Sequence, residues 1–459
     1  MANERSSFFA LKDHPTTVSR EFLAGLTTFM TMAYIIAVNP GLLSAAGMPF
    51  DGVMAATCLS SAIACIVMGI VARYPFALAP GMGLNAYFAF TVAAKHGYPV
   101  ALGAVFISGC VFMLLTFVRV RQLIIDAIPT SLKHAVAAGI GLFIAFIGFQ
   151  DGGLVVNEDV TLVTSFGALT PTIYVAVFSL AAMVVLFALR VRGAILIAIV
   201  AATLLAMGLH VTEPPAPKEG GAWYTAVAEM PRFTVFGHLD VPGALGIAPD
   251  TERTAGGILW AIVTSPMIAV IFAFLFVDMF DTVGTLVGLA DRAGYLRDGK
   301  LPRATHALFS DATGTVVGSV LGTSTVTSYI ESAAGIEEGG RTGLTAIFVG
   351  LLFLAAMFFT PLVKVIPKAA TAPALIVVGA MMMRCIKDVP WDDPTEMIPA
   401  FVVMVAMPFF YSIAHGIALG FIFYPIAKVA GGKAREVHWL VYLLGLVFVL
   451  RFLFLGHIT

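Results

Sequence analysis

Apolar runs of about 20 residues, long enough for a helix to cross a bilayer, recur along the chain with short polar breaks between them. In the first half they lie at residues 22–42, 52–72, 97–118, 132–149, 172–189 and 193–210. In the second half they lie at 257–289, 304–320, 343–363, 370–386, 396–412 and 413–430. Two further segments are apolar but interrupted: 75–93 (PFALAPGMGLNAYFAFTVA) and 321–336 (LGTSTVTSYIESAAGI). The pattern predicts an all-α integral membrane protein with fourteen transmembrane segments. The apolar stretch 438–456, with Arg451 in its middle, is extra and either spans or lies in the interface.

The long loop 211–255, with Pro214, Pro215 and Pro217, divides the segments into two sets of seven. An odd number inverts the second set, so the organisation expected is a seven-span repeat over 1–210 and an extracytoplasmic loop over 211–255. An inverted seven-span repeat over 256–430 and a hydrophobic tail over 431–459 complete it. The interrupted segments fall third in each set, and matched breaks in inverted halves point to a transport site. Pro80 and Gly81 prevent a continuous helix in the first, and Gly83 permits close approach. The Thr, Ser and Val residues of GTSTVTSYIE favour extended backbone in the second. Each is expected to be part strand and part half-helix, a backbone tolerated at membrane depth only around a cavity. The plainer alternative is a pair of glycine kinks that help helices pack.

Composition agrees with lipid as the solvent. The 459 residues are 59% hydrophobic and 12% charged, against about 25% charged for soluble proteins. A net charge of −1 gives no basic field for nucleic acid. Cys58, Cys65, Cys110 and Cys385 stand singly in apolar segments and read as small buried hydrophobes. Residues 1–20 lack the apolar core and small-residue site of a signal peptide, so the first run is expected to be retained. With the N-terminus (Arg5, Lys12, Arg20) in the cytoplasm, even-numbered loops hold Arg73, then Arg119 and Arg121, then Arg190 and Arg192. Arg292, Arg297, Lys300 and Arg303 follow, then Arg341, Arg384 with Lys387, and Lys428 with Lys433 and Arg435. Lys364 and Lys368 oppose this positive-inside bias.

Acids within spans are costly and mark function. Asp278 and Asp281, in FVDMFDTVGT, share one face of the eighth span, and Asp281 opens a small polar patch with Thr282, Gly284 and Thr285. Glu331 follows the break in the tenth segment, where a half-helix N-terminus favours a carboxylate. Asn85 holds the corresponding place in the third. Asp281 and Glu331 are the functional candidates, and Asp278 serves either coupling or scaffolding. Asp311, in FSDATGT, is placed near a cytoplasmic end and read as structural, and His134, His306 and His415 read as interfacial. An acceptor-rich set with no Lys or Arg in a neighbouring span suits a planar neutral molecule with several N–H donors. Acids in a low dielectric also suit proton coupling.

The stretches TTFMTMAYIIAVNP, APGMGLNAYF, FVDMFDTVGT and GTSTVTSYIESAAGI resemble signatures of the adenine/guanine/hypoxanthine permeases, a branch of the nucleobase/ascorbate transporter superfamily. The resemblance runs in order from about residue 7 to residue 455. It implies a seven-plus-seven inverted repeat, with a core domain of spans 1–4 and 8–11 and a gate domain of spans 5–7 and 12–14. It further implies a homodimer in the cell membrane, elevator-like movement, and proton-coupled purine uptake without a cofactor. By motif it assigns substrate contacts to Asn85, Asp281 and Glu331, with Thr285 beside them and Tyr329 as a stacking candidate. Asp278, Asp281 and Glu331 are then the proton-coupling candidates.

Three rivals make different demands. An anion exchanger on the same fold needs a cation at the broken segments, and the sequence has none there. A membrane enzyme needs a metal set such as HExxH, or a nucleophile with its base, and neither is found. A sodium-coupled carrier would use carboxylates too, and the sequence leaves it open.

Overall fold

The computed structural model describes residue 9 and residues 16–117, 128–166, 168–215, 223–247, 265, 267–295 and 301–455. Arg5, Lys12, Arg119, Arg121, Pro217, Arg297, Lys300 and the start of the eighth run at 257–264 lie outside them. Among the described residues, nine helices are long and apolar enough to cross a membrane. Shorter apolar helices lie at Ala194–Gly208, Pro394–Phe409 and Trp439–Leu450. The extra stretch at the C-terminal end is thus helical. The run 22–42 is not one helix but two, Val18–Met32 and Ile35–Ser44, parted at Ala33 and Tyr34. There the bonding tightens to the three-residue kind, Ile36 N–H to the Ala33 carbonyl and Ala37 N–H to Tyr34, both 3.1 Å.

Both interrupted segments contain strand. β1 (Leu78–Pro80) and β4 (Val326–Ser328) pair antiparallel, with Leu78 opposite Ser328 and Pro80 opposite Val326. A second antiparallel pair, β2 (Val155–Glu158) and β3 (Leu162–Ser165), forms a hairpin before the sixth span.

The chain divides into two compact units. The first comprises Met1–Gly81, Phe149–His238 and Asp281–Ala374. Helices Phe50–Val67 and Ala304–Leu321 pack against the strand pair, Gly343–Ala356 packs on Phe50–Val67, and Val18–Met32 packs on Gly343–Ala356. Gly69 and Gly343 let two of these segments approach backbone to backbone: a Cβ on either would collide with the other's carbonyl. Gly322 ends helix Ala304–Leu321 at φ +102°, a left-handed conformation that frees the chain to turn into the broken segment. Glu21, fully buried, accepts from Arg341 N–H (2.9 Å), Thr342 N–H (3.2 Å) and the Thr345 hydroxyl (2.5 Å), stapling the first helix to the start of Gly343–Ala356.

The second unit comprises Met82–Gly148, Leu239–Phe280 and Leu375–Thr459. Phe272, Phe276, Phe421 and Phe448 interlock in its core with ring centroids 5.6–6.5 Å apart. The sixth and seventh spans belong to the first unit. The Ser179 hydroxyl donates to the Ala370 carbonyl (2.8 Å), Thr212 to Val365 (2.9 Å), and Arg192 pairs with Glu338. Helix Tyr98–Phe117 falls in the second unit.

Candidate functional site

The strand pair is the scaffold of the site. Pro80 has no N–H to donate, which suits the end of a two-stranded ladder. The next residues continue the pairing: Gly81 N–H donates to the Thr325 carbonyl (3.0 Å) and Tyr329 N–H to Ala77 (2.9 Å). The Ala77 N–H reaches the Ser332 hydroxyl (2.9 Å). Backbone groups of the strands find side-chain partners behind the ladder. Thr315 both accepts from Val326 N–H (3.1 Å) and donates to its carbonyl (3.0 Å), while Leu78 N–H donates to Cys65 Sγ (3.1 Å). The strand pair therefore leaves little backbone unpaired, as hydrocarbon around it would require.

Asp311 is more central than its sequence suggested. It is fully buried in the middle of helix Ala304–Leu321, accepting from the Thr282 hydroxyl (2.9 Å) and, from β4, the Ser328 hydroxyl (3.3 Å). Thr282 also bonds Thr327 at 2.9 Å, so one carboxylate fastens the eighth span to the strand. Its structural reading fits this geometry, although its placement near a helix end does not.

Glu331 is the residue preceding half-helix Ser332–Glu338, but its side chain makes no capping bond there. Instead the Tyr34 hydroxyl donates to its Oε1 at 2.7 Å. Asp281 lies on the continuous helix Met267–Ala293, and its carboxylate is within electrostatic reach of Glu331 and Tyr329. Both Asp281 and Glu331 are half-buried, and neither forms an ion pair among the described residues. Thr285, one turn beyond Asp281, is also half-buried. Tyr329 is 6% exposed and donates its hydroxyl to the Pro80 carbonyl (2.5 Å), so it anchors the strand junction.

Thus the structure brings Asp281, Glu331 and Tyr329 together. Asn85, on the short helix Met82–Ala86, and Asp278 are fully buried in the second unit. Sequence reasoning missed Tyr34 and Asn39. The Asn39 amide donates to Thr57 (2.7 Å) and Thr323 (2.9 Å), all buried. The available signal was a tyrosine and an asparagine inside an otherwise apolar run.

A cavity of about 550 Å³ lies elsewhere, in the second unit, lined by Ser131, Asp388, Glu396, Arg435 and His438 among others. It includes none of the expected site residues. Lys428, counted with the loop cations from sequence, is 3% exposed within helix Ile413–Ala430. It pairs with Glu396 (2.7 Å) and Glu436 (2.9 Å).

Comparison with known proteins agrees with this architecture. The sequence profile described as "Permease family" matches residues 19–419. A putative permease of Methanocaldococcus jannaschii is 51% identical over 98% of each chain. A guanine/hypoxanthine permease of Bacillus subtilis is 44% identical, over 98% of this chain and 99% of its own. An adenine permease of Escherichia coli is 40% identical, over 97% of this chain and 95% of its own. Among solved structures, the transmembrane domain of a cyanobacterial bicarbonate transporter superposes with a TM-score of 0.61 at 13% identity, covering 88% of this chain and 98% of that one. Murine Solute Carrier 26 family member A9, an anion transporter solved in the inward-facing state, superposes at 0.58 and 13% identity, covering 92% and 69%. At such identity these two show a shared fold. With apolar helices of spanning length and relatives matched end to end, this multi-pass membrane protein belongs to the permease family, as a transporter and not an enzyme.

Proposed function

We propose that the protein imports purine nucleobases, hypoxanthine and guanine or adenine, across the cell membrane by proton symport. The observation that carries this reading is the half-buried pair Asp281 and Glu331, carboxylates close enough to interact and paired with no cation among the described residues. Full-length relatives named as guanine/hypoxanthine and adenine permeases support the substrate class. Purine N–H groups donate to the two carboxylates, with Thr285 beside Asp281, and Asn85 is a substrate candidate by its motif alone. A proton taken up by one acid removes the repulsion between the pair, so substrate and proton enter together. Asp278 is the reserve candidate for that proton.

The paired strands, one in the third segment of each half, support fourteen segments arranged as two inverted repeats, 1–210 and 256–430, joined by the loop 211–255. Residues 431–459 follow as the hydrophobic tail. Access alternates by elevator-like movement in a homodimer with cytoplasmic N-termini. The anion transport named for the solved neighbours fits poorly, because two acids without a cation repel an anion.

Reconstituted protein is expected to accumulate radiolabelled hypoxanthine when an inward proton gradient is imposed in sodium-free buffer. Unlabelled guanine or adenine should compete, and uracil should not. Accumulation only with sodium would remove the proton, and uptake of bicarbonate without any purine would remove the substrate class.

A further inference from the structure

Tyr34 is not among the proposed substrate contacts, yet it is the side chain that holds Glu331. It is 1% exposed, so it meets no ligand itself and acts through what it touches. Its hydroxyl lies 2.7 Å from Glu331 Oε1. The backbone that presents it is unusual. Tyr34 is the first flanking residue of helix Ile35–Ser44, at the point where the first span breaks. On the other side of the break, the Thr31 hydroxyl donates to the Thr28 carbonyl (2.7 Å) and approaches the Glu331 carbonyl (3.4 Å). Five residues beyond Tyr34, Asn39 donates to Thr323 at 2.9 Å. The same piece of chain therefore grips the broken tenth segment twice, near its start at Thr323 and after its strand at Glu331.

We infer that Tyr34 is a positioning residue for substrate recognition, fixing one oxygen of Glu331 so that the other faces the ligand. The inference rests on Glu331 being a substrate contact. A glutamate rotates about three side-chain bonds, and a ligand that bound it unrestrained would have to freeze them. The hydroxyl fixes the carboxylate before the ligand arrives. It also occupies Oε1, which orients the carboxylate toward a planar partner.

The test is Tyr34→Phe, which keeps the ring and deletes the hydroxyl. In proteoliposomes its KM for hypoxanthine is expected to rise about tenfold, the size of a hydrogen bond to a charged acceptor, with Vmax within about twofold. Thermal melting in detergent should match the unaltered protein. In a Glu331→Gln background the same change should move KM much less, because the charge-assisted bond is already gone. Infrared difference spectra give a readout without ligand: the carboxyl band lost in Glu331→Gln should shift in Tyr34→Phe. An unchanged KM and an unshifted band would overturn the inference, as would a fall in Vmax and melting temperature with KM constant. If unaltered protein transports no purine but the band still shifts, the substrate reading fails and the positioning of Glu331 stands. If purine uptake needs Glu331 yet ignores Tyr34, only the positioning role fails.

Discussion

Two groups of carboxylates lie on helices of this protein or at their ends, and they are treated in opposite ways. In the second unit, Glu396 is surrounded: Lys428 pairs with it at 2.7 Å, the Tyr424 hydroxyl donates at 3.0 Å, and the Ser131 hydroxyl donates to its other oxygen. In the first unit, Asp281 and Glu331 stand near each other with no cation among the described residues, and Glu331 receives one hydroxyl. A charge removed from water must be compensated. At Glu396 the protein supplies the compensation itself, which spends the acid on architecture. At Asp281 and Glu331 the compensation is incomplete, which leaves the acids for something that arrives from outside.

The comparison breaks most sharply at its open end. Asp281→Ala and Glu331→Ala are each expected to lower hypoxanthine uptake about 100-fold or more, equivalent to roughly 3 kcal/mol of lost recognition. Melting temperatures should fall little, since neither acid holds the fold through an ion pair. Residual uptake near that of the unaltered protein would show that the pair is not the recognition element.

At the closed end the effect should move from activity to stability. Lys428→Met leaves Glu396 without its cation and is expected to destabilise the protein by about 3 kcal/mol, the loss moderated because the Glu436 side chain is 57% exposed. Uptake per folded molecule should persist. Adding Glu396→Gln should recover part of the loss, and thermal melting of the single and double variants checks both statements. Asp311 lies between the extremes: two hydroxyls donate to it, and it forms no ion pair among the described residues. Asp311→Asn should cost about 1–2 kcal/mol and reduce uptake less than Glu331→Ala.

The smallest effect belongs to Asp393, at the start of helix Pro394–Phe409. Hydrogen bonds from the Lys433 ammonium (2.5 Å), and then from Thr395, hold its carboxyl well below the usual carboxylate range. Because the folded state lowers this affinity for protons, its contribution is complete above the unfolded value near pH 4 and is lost as the pH falls further. The melting temperatures of the protein and of Asp393→Asn should therefore differ at pH 7 and converge in more acid solution.

Much of this was written locally in the sequence, and its gaps have physical causes. Apolar runs of spanning length became helices because hydrocarbon demands internally bonded backbone. Pro80, Gly81 and the Thr/Ser stretch announced two breaks because those residues resist helix on their own. The break at Ala33 and Tyr34 had no such signal, for neither residue opposes a helix, and it is visible only in the bonding around Thr31 and Ala33. Lys428 passed for a loop cation because it ends an apolar run, while its partner Glu396 comes a helix earlier. Asp311 passed for a residue near a helix end because the groups that enclose it, Thr282 and Ser328, come from two other segments. Charge and periodicity are local properties, whereas compensation is decided by what folding brings alongside.

The strand pair also sets a timetable for the protein's birth. Pro80 and Tyr329, joined by a hydrogen bond, stand 249 residues apart. At about 5–20 residues per second, a ribosome takes roughly 10–50 s to travel between them. Through that interval β1 has no ladder partner, and its exposed amides and carbonyls cannot be left to hydrocarbon. The nascent first half must be sheltered by the insertion machinery or by water until the tenth segment emerges. Truncation before residue 326 should then strand the chain at that machinery, even though most of its first seven segments are already helical.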